Sequence, residues 1–147
     1  MSDLNSTLER LTVETLERHA FMFAESRSTS PDSIDWRAHL DFSGWRSGSI
    51  TIRCTRGFSE LMCEELLGFE GGEADEDLTR DVLLEFVNVL AGRVLSEISP
   101  EGRSVKLQSP RIVESESQES GVERHCVAIE VDGQAAEVVL EFQAQAS

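Results

Sequence analysis

From Leu78 to Ile98 the chain repeats apolar residues at helical spacing and confines its polar residues to one arc, and this two-sidedness most constrains the fold. Placed at roughly 100° per residue, Leu83, Phe86, Val87, Leu90, Val94 and Ile98 form a broad apolar face that must lie against another layer, best a sheet. Opposite them, within roughly 80° of arc, fall Asp81, Glu85, Asn88, Gly92 and Ser96. Asp81, Glu85 and Asn88 stand at i, i+4 and i+7, so their side chains stack along one ridge. Val82, Leu84, Val89 and Leu95 flank that ridge. A narrow polar stripe with apolar borders is more than a solvated surface requires.

Asn88 is the unusual member of the ridge. Its amide competes for backbone hydrogen bonds, and a solvated helix position would more naturally hold Lys, Glu or Gln. Asn88 can be a tolerated surface residue, a partner for an adjacent loop, or a functional group. Glu85 alone is an ordinary helix-surface residue. Gly92 removes bulk beside Asn88; it either lets a partner's backbone approach or permits close packing against a neighbouring strand.

The other elements read as follows. Residues 4 to 26 have helical spacing through Leu4, Leu8, Leu11, Leu16, Ala20 and Phe23, and Ser28 to Asp35 is a Ser-rich loop containing Pro31. His39 to Trp45 and Ser49 to Thr55 alternate as two strands around a Ser47-Gly48 turn. Phe58 to Leu67 is a helix stopped by Gly68, Gly71 and Gly72, and the acidic connector GGEADED leads to the long helix, which Ser99-Pro100 closes. Ser104 to Val113 is strand-like, Glu114 to Gly121 is a polar loop, and Arg124 to Val131, Asp132-Gly133 and Gln134 to Phe142 form a hairpin. The order predicts an α/β (α+β) fold, with long helices packed on a mainly antiparallel sheet. No linker or internal repeat divides residues 1–147, so one domain is expected.

With 28 acidic and 13 basic side chains the formal charge is −15. Such a surface repels phosphate backbones and anionic lipid, which argues against nucleic-acid and membrane partners. It serves solubility, or it favours a partner with a basic patch. No apolar run is long enough for a transmembrane span, and MSDLNSTLERL lacks the basic start and apolar block of a signal peptide. Cys54, Cys63 and Cys126 are odd in number with no CxxC, which fits reduced, packed thiols in a cytoplasmic protein. His19, His39 and His125 have no metal-ligand spacing, and His125 and Cys126 point to opposite faces of a strand. No GxSxG, P-loop or GxGxxG occurs, and Trp36 and Trp45 read as core or interface residues.

One longer spacing changes the weight of the ridge. Asp81, three residues, Glu85, two residues, Asn88 and then twenty-one residues to Pro110 resembles the signature of the CheC, CheX and FliY phosphatases of chemotaxis. GWRSGSITIRCTRGFSELMCEELLG also resembles the strand, strand, helix segment ahead of that family's motif helix, and the likeness extends from about Leu11 onward. CheC and FliY carry two signature helices. Only one is found here, so the chain resembles CheX.

The resemblance implies an enzyme that dephosphorylates the aspartyl phosphate of a CheY-like response regulator. It implies that Asn88 orients the attacking water and that Glu85 pairs with the regulator's lysine. Asp81, at the outer end of the ridge, is a docking candidate at most, and Gly92 is a partner-binding candidate through its lack of bulk. Pro110 is expected to shape the strand that follows rather than touch substrate. The chain would hold no cofactor of its own, with Mg2+ supplied by the regulator, and would be a homodimer. Strands with open edges, such as Ala135 to Phe142, would need covering by a second copy. The alternative is a non-catalytic module that binds a receiver in a two-component or flagellar-switch pathway. A purely structural dimer would bind no receiver.

Overall fold

The computed structural model describes residues 3–68, 75–115 and 122–144. Among them, the helices are α1 (Leu4–Ala20), α2 (Arg56–Leu67) and α3 (Glu76–Ile98). The strands are β1 (Glu25–Arg27), β2 (Trp36–Gly44), β3 (Gly48–Cys54), β4 (Val105–Leu107), β5 (Arg111–Ile112), β6 (Glu123–Val131) and β7 (Gln134–Phe142). They form one seven-stranded sheet in the order β1-β6-β7-β3-β2-β4, with β5 pairing farther along β2, and every pairing is antiparallel. The expected α+β fold is therefore the observed one.

Strand alternation decides which face carries the helices. Leu40, Ile50 and Leu140 lie in register across β2, β3 and β7, as do Ala38, Ile52 and Val138. All six are buried, beside Val127 and Ile129 of β6. On this apolar face α1 packs against β6, α2 against β7, and α3 against β2 and β3. The opposite face is polar but not open. There Glu137 is only 4 % exposed and takes the Arg53 guanidinium through both Nε and Nη2, while Ser30 Oγ donates to its second oxygen at 2.7 Å.

The strongest hairpin signal is met in full. Asp132 and Gly133 both have positive φ, 50° and 79°, the conformation that matches a two-residue turn to the twist of its strands. Other boundaries moved. The first helix stops at Ala20 rather than at residue 26, because Phe21 adopts a left-handed φ of 56° and its N–H caps Leu16 O. Met22 then turns inward, whereas Phe23, an apolar position of the expected helix, is 73 % exposed. Glu25–Arg27 instead pairs with Ala128–Glu130 and covers part of the β6 edge. The β2–β3 turn lies at residues 45–47, because Gly48 already pairs with Phe42.

Two further expectations need correction. Ser104 to Val113 is not one strand: β4 and β5 are separated by Gln108, Ser109 and Pro110, and proline cannot donate to a ladder. The Ala135–Phe142 strand has no open edge, because β7 is hydrogen-bonded to β6 on one side and β3 on the other. Residues 71–74 of the acidic connector and 116–121 of the polar loop lie outside the described residues. Cys54 and Cys63 are packed, Cys126 is half-buried, and burial pushes the Cys54 thiol up to about 12.

Candidate functional site

α3 is started by its own connector. Asp75 caps it by accepting from Leu78 N at 2.8 Å, and Glu76 and Asp77 sit in the first turn, where the helix dipole favours negative charge. Ser99 ends it in an extended conformation, and Pro100 follows. Side chains along its length fix its rotation on the sheet. Arg93 donates to Thr15 Oγ1 at 2.9 Å and Glu14 Oε2 at 3.2 Å on α1. Trp45 Nε1 donates to Ser99 Oγ at 2.8 Å, which ties the C-terminal end to the β2–β3 turn.

In this setting Leu83, Phe86, Val87, Leu90 and Val94 are buried, and Ile98 is half-buried. Asp81, Glu85, Asn88 and Ser96 are exposed and Gly92 is partly exposed, so the expected ridge is on the surface. Its borders are narrower than the helical wheel suggests. Val82 and Leu95 belong to the core, leaving Leu84 and Val89 as the half-exposed apolar margins.

The side chains of Glu85 and Asn88 make no hydrogen bond or ion pair with any described residue. This removes one ordinary explanation for Asn88, that it ties down a nearby loop. The packing explanation for Gly92 also fails: a Cβ built there meets nothing within 4 Å. Gly92 is therefore not required by the chain's own interior.

The structure adds a wall that the ridge alone did not reveal. Asp81, Leu84, Glu85 and Asn88 line one side of a shallow groove whose other side is Leu107, Gln108, Ser109 and Pro110. Pro110 thus does more than shape the following strand: it interrupts the β4–β5 edge and faces the ridge. The fixed distance from Asn88 to Pro110 was the available signal. Leu107, Gln108 and Ser109 had none, because nothing in their residue types separates a groove wall from an ordinary strand end. Asn88 also borders a second depression with Leu11, Val89, Gly92 and Leu107.

The groove offers two carboxylates, two carboxamides (Asn88 and Gln108), a hydroxyl and apolar margins. Among the described residues no cluster of three or more His, Cys, Asp or Glu side chains could hold a metal ion. Elsewhere, polar residues neutralise one another. On the far face of the sheet, His39 pairs with Thr51 Oγ1 at 2.8 Å and Asp41 Oδ1 at 3.0 Å, and Arg111 donates to Asp41 Oδ2 at 2.8 Å. Burial pulls the Asp41 pKa upward, but the hydrogen bonds from Arg111 and His39 together with their charges outweigh it and hold the carboxyl below its ordinary value.

Residues 37–139 match the family model described as chemotaxis phosphatase CheX. No curated protein sequence matches the chain. Among solved structures, the chain is similar to a CheX chemotaxis protein from Vibrio vulnificus, with a TM-score of 0.78, 14% identity and 97% of each chain covered. It is similar to a CheC-like superfamily protein from Shewanella sp. PV-4, with a TM-score of 0.78, 15% identity and coverage of 98% of this chain and 100% of that one. It is also similar to a chain of the CheX–CheY–BeF3–Mg2+ complex from Borrelia burgdorferi, with a TM-score of 0.74, 17% identity and coverage of 96% and 98%. No helix among the described residues is long and apolar enough to cross a membrane.

Proposed function

The chain belongs to the CheX family of chemotaxis phosphatases, and we propose that it hydrolyses the aspartyl phosphate of a CheY-like response regulator through Asn88 and Glu85. The observation that carries this reading is the pair itself. Both side chains lie exposed on one ridge of a helix whose rotation is fixed, and neither is used by the chain's own structure.

An aspartyl phosphate is an acyl phosphate and already reactive, so the phosphatase need not supply a metal or a strong base. In the regulator, Mg2+ held by its own acidic residues neutralises charge on the phosphoryl oxygens. The phosphatase must hold a water in line with the breaking P–O bond. The Asn88 carboxamide oxygen can accept a hydrogen bond from that water without the repulsion that a carboxylate would exert on the phosphoryl group. Attack of the water forms the new P–O bond, and the regulator's aspartate leaves as a carboxylate. Glu85, one helical turn earlier, pairs with the regulator's lysine and sets the helix in its cleft. Asp81 docks at the end of the ridge, and Gly92 leaves room for the approaching backbone.

We further propose one CheX-like domain over residues 1–147, a cytoplasmic location shared with its regulator, and a homodimer. The homodimer rests on the resemblance to CheX, since β7 is interior to the sheet. A sedimentation measurement that found a monomer at micromolar concentration would remove it. The function is tested by phosphate release from the host's receiver domains, each phosphorylated from acetyl phosphate with Mg2+. The wild-type chain should accelerate release from at least one of them, and Asn88→Ala should lose about 100-fold or more of the rate. Equal turnover by the two proteins would reject the assignment. Binding of a receiver without faster phosphate loss would select the docking-only module.

A further inference from the structure

We infer that Leu107 is the apolar anchor of the regulator-docking surface, with Gly92 as the opening through which the partner reaches it. This rests on the function proposed above and goes beyond Glu85 and Asn88 by naming what supplies affinity. Three depressions run side by side along the outer ridge of α3. The first contains Glu85 and Asn88, the second Asn88 and Gly92, and the third Gly92 and Ser96 together with the α3–β4 loop. Leu107 lines all three.

Leu107 holds this place because it is the last residue of β4. Phe42 of β2 is its register partner, which seats its backbone on the sheet. The strand then breaks at Gln108, so the side chain stands at the rim of the core, partly buried. A half-buried leucine is common on any surface. This one lies beside the two residues that would enter the phosphoryl site, and the helix position facing it is a glycine with open space where a side chain would be. An apolar centre ringed by polar groups is the arrangement in which protein interfaces concentrate their binding energy. The occupant that fits is the regulator surface around its phosphorylated aspartate, because Leu107 lines both of the depressions that Asn88 borders.

The experiment uses the full chain and the receiver that it dephosphorylates. Binding is measured with that receiver charged with BeF3− and Mg2+, and turnover with the receiver phosphorylated from acetyl phosphate. Leu107→Ala should raise KM and Kd about tenfold and change kcat at saturation far less. Because Leu107 also touches the core, a second variant separates docking from folding. Gly92→Met adds a flexible side chain whose Cβ meets nothing within 4 Å, and it replaces a residue that disfavours helix. Its melting temperature should be at least that of the wild type, while its KM rises about tenfold or more. Wild-type KM in a folded Gly92→Met, or a Leu107→Ala that lowers kcat and leaves KM alone, would overturn the inference and leave the phosphatase reading standing. Failure of the wild-type chain to dephosphorylate any receiver would remove both.

Discussion

Two polar regions of this molecule differ in one respect, and that difference separates structure from function. On the far face of the sheet, Arg53, Glu137 and Ser30 form one hydrogen-bonded set, and His39, Thr51, Asp41 and Arg111 form another. On the outer ridge of α3, the side chains of Asp81, Glu85 and Asn88 form no hydrogen bond or ion pair with a described residue. The far-face groups spend hydrogen bonds on one another within the chain. The ridge groups keep theirs, on a helix too well anchored to turn them inward. A set that is already satisfied gains little from a partner, whereas an unsatisfied set on a rigid element is ready to bind one.

The sharpest way to break this comparison is to exchange the expected phenotypes. Asn88→Ala should cost about 100-fold or more in phosphatase rate and leave the melting temperature within a few degrees of wild type, since alanine favours helix. Glu137→Ala should do the reverse. It leaves the Arg53 guanidinium without its buried carboxylate, and breaking such a pair costs about 3 kcal/mol. The folded fraction should retain wild-type kcat. Denaturant unfolding combined with turnover per folded molecule reads both proteins. A destabilised but fully active Asn88→Ala would erase the distinction, as would a stable but inactive Glu137→Ala.

Glu85→Gln sharpens the comparison within the ridge. It keeps shape and length but removes the charge that would meet the regulator's lysine. We expect a loss of about tenfold in kcat/KM, smaller than for Asn88→Ala, with a weaker dependence on salt. An unchanged salt dependence would show that the carboxylate is not part of an ion pair in the complex.

The sequence carried the site more clearly than it carried the sheet. A helix of this length averages its periodicity over many turns, so the exposed positions of Asp81, Glu85 and Asn88 were legible, and the distance to Pro110 reached across to the groove's second wall. The Asp132-Gly133 hairpin was legible because few residues tolerate two successive positive φ values. The end of α1 was not. Phe21 is a poor residue for a left-handed conformation, and tertiary pairing of Glu25–Arg27 with β6, invisible to local pattern, sets where the helix stops. Strand order was also hidden. The final strand looked like an edge because sequence records its neighbour in the hairpin, β6, but not β3, whose paired residues lie 82 (Cys54 to Ala136) to 94 (Gly48 to Phe142) positions earlier. Asn88 shows the limit from the other side. Residue type and periodicity left a bland surface position open, and only the lack of any partner in the fold removed the loop-bonding explanation.

The smallest effect belongs to the hydrogen-bonded set around Asp41, and its sign follows from the direction of its pKa. The folded-state value lies below 3.8 because hydrogen bonds from Arg111 and His39 and their charges outweigh the opposing effect of burial. A depressed carboxylate stabilises the fold above its unfolded pKa and loses that contribution as pH falls through the folded value. Asp41→Asn should therefore be less stable than wild type near neutrality, and the gap should close as pH falls below 3.8. The side chain is 36% exposed, so solvent screening keeps the effect small. Melting temperatures of the two proteins across the acid range measure it. A gap that stayed constant through that range would mean that Asp41 contributes through shape rather than charge, and a loss of phosphatase kcat in the folded variant would mean that the far face is coupled to the ridge.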